Sequence, residues 1–243
     1  VRGSSRKKNY ENGWTVSDPN RQNLRTVALA LSGFDPDPVF IGGSVVGLLL
    51  TDTAARVPRV TVDVDVVMEA RTRGMWMTQI LDGLRRRGLK EVGDSEVICR
   101  WRLGTRESGV LVDVMPTDEA VLGFSNRWYP HAVDTAVLHD MDGVSIKVVD
   151  AVHFIATKIE AFRGRGGGDF YASHDIEDIL AVVDGRAELV DELSSAHEEV
   201  RSAVAGTLIG WLADDDFRNA LEGHVERGRD AVVVKRLDEL ARR

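Results

Sequence analysis

Residues 60–68 read VTVDVDVVM, and this stretch decides the fold. Its apolar residues recur at every second position, the period of a β-strand and not the 3.6 of a helix. A strand here puts Thr61, Asp63 and Asp65 on one face and Val60, Val62, Val64 and Val66 on the other. Same-face neighbours lie ~6.5–7 Å apart. Two such carboxylates can converge on one divalent ion or flank a pair of ions about 3.5–4 Å apart. Taken alone, a D-x-D of this kind is more often the solvated face of a half-buried strand. The flanking sequence shifts that balance.

Downstream, residues 110–115 read VLVDVM and set Asp113 among five apolar residues, where an unpaired charge is costly and a metal or a cationic partner is the natural remedy. Upstream, the short apolar run 39–41 leads into Gly42, Gly43 and Ser44 and then an apolar stretch to about Thr53. That pattern predicts a strand, a tight turn and a helix whose first N–H groups can receive a phosphate. A Gly-Gly pair by itself is only a tight turn. Beside three acids on two strands it becomes a phosphate cradle next to a metal platform, an arrangement suited to nucleoside triphosphates.

Working outward, residues 20–33 carry Leu24, Val27, Ala28 and Leu31 at helical spacing behind Asp18 and Pro19, a cap with proline at the first helical position. Residues 73–88 are expected to be helical. Residues 96–103 and 109–115 are expected to form a hairpin bridged by Gly104 to Gly109, with further strands near 132–137 and 144–148. From residue 150 the pattern turns to amphipathic helices. The expected fold is α/β (α+β), a mixed sheet with flanking helices followed by a helical C-terminal domain. The boundaries are a tail at 1–18, whose VRGSSRKK start reads as an appended scar, a catalytic domain at 19–149 and a helical domain at 150–243. The Gly-rich stretch from Arg163 to Asp169 reads as a flexible loop.

The order Gly42-Gly43-Ser44, Thr61-x-Asp63-x-Asp65, then Asp113 resembles the nucleotidyltransferase superfamily related to polymerase beta. In the helical half, Lys158-x-x-Ala161-x-x-x-Arg165 followed by Asp175-x-x-Asp178 resembles the K-x-x-A…R…(K)D-x-x-D signature of AbiEii-type nucleotidyltransferases, which include toxins of bacterial toxin–antitoxin systems. Where that family often has lysine before the first acid, this chain has His174. The resemblance implies transfer of a nucleoside monophosphate from an NTP. It implies Asp63, Asp65 and Asp113 as ligands of Mg²⁺, two ions in all, and Asp113 also as an aid in deprotonating the acceptor. Gly42, Gly43, Ser44, Thr61, Lys158, Asp175 and Asp178 are then nucleotide contacts, with Lys158 also catalytic. Read from the residues alone, Lys158 can equally be a lysine snorkelling from a half-exposed helix. Asp175 and Asp178 share one helical face near an N-terminus, where capping and domain bridging are the simpler roles.

Composition narrows the classes. With 43% hydrophobic and 29% charged residues and one cysteine, Cys99, the chain is globular, neither disordered nor collagen-like nor disulfide-stapled. No stretch reaches the length of a membrane span, and a lone cysteine suits a reducing, cytoplasmic compartment. No zinc spacing, P-loop or G-x-S-x-G motif is present. Trp211 and residues 187–213 read as helix packing. The net charge is −8, and residues 151–243 hold 12 basic and 19 acidic side chains, which disfavours a general DNA-coating role. By resemblance the acceptor is a tRNA 3′ end or a protein, with a cognate antitoxin as partner. A small-molecule acceptor of the aminoglycoside type is the alternative, and a non-catalytic binding module or antitoxin partner is the reading from another class. A tRNA acceptor predicts a basic cleft rim built from Arg85 to Arg87, Arg163 and Arg165, whereas a cationic small molecule predicts an acidic pocket.

Overall fold

The computed structural model describes residues 18–93, 95, 97–165 and 168–243. Residues 1–17 of the expected tail at 1–18 and the glycines 166–167 of the expected loop lie outside the described residues. Seven strands form one mixed sheet: β1 Val39–Ile41, β2 Asp63–Met68, β3 Leu89–Glu91, β4 Arg100–Leu103, β5 Val110–Pro116, β6 Val137–Met141 and β7 Val144–Val148. Their spatial order is β3-β4-β5-β2-β1-β7-β6, with β2/β5 and β1/β7 parallel and the other pairs antiparallel.

Helix α1, Arg21–Leu31, lies against β2, β5 and β7 and buries Leu24, Val27, Ala28 and Leu31, the four residues its spacing singled out. Its cap differs from the expectation. Asn20 is the N-cap, and Asp18 and Pro19 form a preceding turn in which Asp18 Oδ1 accepts from the Asn20 N–H at 2.9 Å.

The central strand is shorter than its alternating pattern. It begins at Asp63, and Val60 and Val62, expected on the face opposite the acids, stand 72% and 75% exposed. Side-chain capture explains the late start. The Thr61 N–H and hydroxyl both donate to Asn20 Oδ1, and Asn20 Nδ2 donates to the Arg59 carbonyl, so residues 59–61 are tied to the head of α1 instead of to a neighbouring strand. From Asp63 the alternation holds as far as Val66, with Val64 and Val66 fully buried and Asp63 and Asp65 half-buried, and Val67 and Met68 are then both buried.

The helix after Gly42 is also shorter than expected. A 3₁₀ turn at Gly43–Val45 continues into α2, Val46–Leu49, and Leu50 is extended. The chain is drawn off there by the helical half, because the Thr51 and Asp52 N–H groups both donate to the Gly185 carbonyl at 2.9 Å. The expected helix at 73–88 is α3, Arg73–Met75, a π-helical turn at Trp76–Leu81 and α4, Asp82–Arg86. Helix α5, Glu119–Leu122, follows β5. Residues 132–134, expected as strand, belong to α6, Tyr129–Asp134, whose Pro130 sits in the first turn where its missing N–H costs nothing.

The C-terminal helices are α7 Ala151–Arg165, α8 His174–Gly185, α9 Leu189–Ser195, α10 Glu198–Ala213, α11 Asp215–His224 and α12 Asp230–Ala241. Residues 163–165, expected as loop, extend α7. Residues Ala151 to Ile159 are all buried, because α7 packs against α6, α8, α9 and α10 at once. Trp211 stacks edge-on against Phe162 and Phe170 at 5.5 and 5.7 Å, the packing role expected of it. No helix among the described residues is long and apolar enough to cross a membrane.

Candidate active site

The sheet register builds the site. Ile41 pairs with Asp65, Asp65 with Asp113, and Asp113 with Arg100, so one row of residues crosses β1, β2, β5 and β4 in order. Asp63 lies two residues before Asp65 on the same face. Like charges set side by side on neighbouring strands repel, and the remedy present is Arg100. Its Nε and Nη2 donate to the two oxygens of Asp113 at 2.8 and 2.7 Å, and Nη2 also donates to Asp63 Oδ2 at 2.5 Å. Hydrogen bonding to Asp113 and the field of the surrounding aspartates push the guanidinium's pKa still higher. The neighbouring Cys99 thiol is pushed up to about 12 by burial and by the charges of Asp113 and Asp65, which makes it inert at neutral pH.

Gly42 and Gly43 are needed where they stand. Gly42 has φ 74° and ψ −171°, a conformation open essentially to glycine. A Cβ there would lie 1.9 Å from Asp65 Oδ2. A Cβ on Gly43 would lie 2.6 Å from Arg59 Nη2 and 2.9 Å from Asp178 Oδ2. The two glycines therefore let the turn pass between the aspartate row and a second charged cluster.

That second cluster joins the two halves of the chain. Lys158 Nζ donates to Asp175 Oδ1 at 2.9 Å and lies 2.7 Å from Asp178 Oδ2, with all three side chains under a tenth exposed. Arg59 grips Asp178 through Nε at 2.8 Å and Nη2 at 3.0 Å. Burial by itself would lower the pKa of Lys158, but attraction from Asp178 and Asp175 outweighs it and raises it. Asp178 bridges the two halves through Arg59, the role its position suggested, whereas Asp175 pairs with Lys158 of the neighbouring α7, and Ser173 caps α8 by accepting from the Ile176 N–H.

A cleft of about 950 Å³ opens over both clusters. Of the expected site residues, Gly43, Thr61, Asp63, Asp65, Asp113, Lys158 and Asp175 border it. Gly42, Ser44 and Asp178 do not. Ser44 is fully buried, and its hydroxyl has no hydrogen-bond partner among the described residues, so the cradle offers Gly43 and not the serine. The lips carry exposed Val60, Val62 and Ile98. Of the residues expected to build a basic rim for an RNA acceptor, Arg85, Arg87 and Arg163 are engaged elsewhere. Arg85 pairs with Asp82 and Glu91, Arg87 donates to the carbonyls of Ala30, Ser32 and Gly33, and Arg163 donates to Thr207. None of these three borders the cleft, whereas Asp63, Asp65, Asp113, Asp169, Asp175 and Glu177 do.

Three residues escaped the sequence reading in their roles: Arg100, Arg59 and Asn20. Arg100 had a usable signal, since counting outward from Gly104 and Gly109 along the expected hairpin sets it opposite Asp113. Arg59 and Asn20 act through loop contacts 39 to 119 residues distant in sequence, for which no periodicity exists.

The donor chemistry suits a hard divalent cation, because three carboxylates share one face of adjacent strands. As placed, no group of three His, Cys, Asp or Glu side chains among the described residues forms a metal cage, and the guanidinium of Arg100 stands between Asp63 and Asp113. The residues fit the ion by kind and by face, with Arg100 as the present counter-charge.

No protein-family model matches the chain, and no curated protein matches it significantly. Among solved structures it is similar to an antigenic nucleotidyltransferase-like protein from Paracoccidioides brasiliensis, at 20% identity and a TM-score of 0.52, over 86% of this chain and 95% of that one. The chain thus has a nucleotidyltransferase-like fold, with the mixed seven-stranded sheet, flanking helices and C-terminal helices described above.

Proposed function

We propose that the protein is a nucleotidyltransferase that moves a nucleoside monophosphate from an NTP to an acceptor hydroxyl. The observation that carries this reading is the cross-strand row of Asp65 and Asp113, with Asp63 on the same face, beneath a cleft that Gly43 also borders. The acceptor oxygen bonds to the α-phosphorus, the bond to the bridging oxygen breaks, and pyrophosphate leaves. Asp63, Asp65 and Asp113 are the residues that would hold Mg²⁺, which when bound neutralises the charge developing on the phosphoryl oxygens. Gly43 lets the triphosphate approach the backbone. Lys158 and Arg59 place positive charge at the cleft, tempered by Asp175 and Asp178. Asp113, held by Arg100 at both oxygens, is the residue that would take the acceptor's proton, and release of Arg100 would make it a stronger base.

Two observations bear on the acceptor. The acidic lining of the cleft and the turning away of Arg85, Arg87 and Arg163 favour a small cationic acceptor over a polyanion. In favour of an AbiEii-type toxin acting on tRNA or protein, with an antitoxin partner, Lys158, Asp175 and Asp178, which carry that resemblance, meet in one ion-pair cluster. The test is incubation with Mg²⁺, each labelled NTP, and either total tRNA or aminoglycosides and polyhydroxylated amines. Label on a cationic small molecule, lost in Asp63→Ala/Asp65→Ala, is the expected result. Label on tRNA reinstates the toxin reading, transfer surviving the double change removes these acids from the mechanism, and no transfer to any acceptor favours the binding module.

A further inference from the structure

Arg100 is held by its surroundings in a way that an ordinary surface arginine is not. Its backbone is fixed opposite Asp113 by the β4/β5 register, and the Cys99 carbonyl beside it accepts from the Val114 N–H at 2.9 Å. Its side chain is 19% exposed, against 9% for Asp113 and 27% for Asp63, and it borders the cleft. Four side-chain torsions separate the fixed backbone from the guanidinium, so the head group can leave the aspartates for the cleft without disturbing a strand. Arginine does not deprotonate in proteins, so only displacement, never titration, removes its charge from the acids.

We propose that Arg100 is a built-in competitor of the divalent cation: its guanidinium occupies the carboxylates of Asp63 and Asp113 in the free protein, and an ion enters by displacing it. The inference rests on reading the aspartates as a cation site, and it adds what that reading does not contain. The free protein is expected to bind divalent ions weakly, with the threshold set by a residue that is not a ligand. The physical ground is electrostatic: a guanidinium held 2.5–2.8 Å from both oxygens of Asp113 and one of Asp63 already neutralises part of their charge and fills lone pairs an ion would use, so a cation feels the full field of the acids only as that contact is given up. Before an ion arrives, the same guanidinium relieves the repulsion among the acids and keeps the row assembled.

The experiment is a Mn²⁺ titration of the full chain without nucleotide, read by the loss of the free Mn²⁺ EPR signal, on wild type, Asp65→Asn, Arg100→Met, Arg100→Lys and Arg100→Met/Asp65→Asn. Releasing the carboxylates from a partly exposed ion pair is expected to tighten Mn²⁺ binding about tenfold in Arg100→Met. Arg100→Lys, which keeps the charge but loses the fork, should fall between Arg100→Met and wild type, and adding Asp65→Asn should remove the gain. Thermal unfolding of the same proteins gives a second readout: Mn²⁺ should raise the melting temperature of Arg100→Met more than that of wild type. Should Arg100→Met fail to fold, Arg100→Lys alone decides, since any tightening supports competition. Equal or weaker Mn²⁺ binding in both variants, with wild-type binding lost on Asp65→Asn, overturns the competition and leaves the cation site standing. No Asp65-dependent Mn²⁺ binding in any folded variant overturns both.

Discussion

Replacing Lys158 with methionine tests the cluster that ties the two halves of the chain together. The ammonium lies 2.9 Å from Asp175 and 2.7 Å from Asp178, and the three side chains are 8%, 7% and 2% exposed. Methionine preserves the packing volume of the aliphatic stem but strands negative charge in a buried setting. Arg59 still neutralises Asp178, so the loss centres on Asp175. Removing one partner of a buried ion pair costs about 3–5 kcal/mol. For a chain of this size each kcal/mol moves the melting point by about 2–4 °C, so Lys158→Met should melt roughly 6–20 °C below wild type. Adding Asp175→Asn should recover part of the loss, because the second change removes the charge that Lys158 had balanced. The assay is thermal and urea unfolding by circular dichroism at pH 7. A loss below about 1 kcal/mol, the value of an exposed pair, would refute the cluster as a structural tie. So would an additive double variant, which would show that Lys158 and Asp175 do not act on each other.

Two other substitutions probe features the fold depends on. Gly42→Ala should cost about 1–3 kcal/mol for the backbone conformation alone. Because the new Cβ is directed at Asp65 Oδ2, it should also lower nucleotidyl transfer more than its stability loss explains; a variant with normal stability and activity would contradict the close approach. Asp18→Asn should stabilise the protein at neutral pH. Burial raises the Asp18 pKa above its ordinary value despite the Asn20 N–H, and Oδ2 is buried without a partner among the described residues. A raised carboxyl pKa favours folding below the unfolded value of 3.8 and loses that contribution as pH climbs through the folded value. The advantage of Asp18→Asn should therefore be largest near pH 7 and fade toward pH 4 in urea unfolding curves; an advantage independent of pH would overturn the assignment.

The parts of the fold read most directly from the sequence are those governed by one local period. The spacing of Leu24, Val27, Ala28 and Leu31 gave α1 its buried face, and alternation from Asp63 to Val66 gave β2 its two faces. Misreadings cluster where a distant contact overrides that period. Residues 60–62 alternate as a strand should, but Asn20 captures the backbone at Thr61, and the valines on either side are left at the cleft mouth. The apolar run after Ser44 could have continued as a helix, yet Gly185 claims the N–H groups of Thr51 and Asp52. Residues 132–134 carry strand-like composition, while Pro130 and the side of α7 select a helical turn.

The site was legible as a requirement before it was legible as a structure. Asp113 among apolar neighbours demands a positive partner whatever the fold, and Asp63 and Asp65 on one face demand one more strongly. Which cation answers is a matter of register, and register was within reach, since a hairpin closed between Gly104 and Gly109 can only bring Arg100 to Asp113. Along the chain Arg100, Arg102 and Arg106 lie within seven residues of one another, and a simple charge count would group them. The sheet separates them. Arg100 turns to the aspartates, and Arg102 donates to the Arg106 carbonyl at the hairpin end. A charge count along the chain therefore overstates what the cleft can offer an anion. Arg59, Arg100 and Lys158, its basic lining residues, are each committed to acids. Any phosphate bound there must either share those partners or bring its own cation.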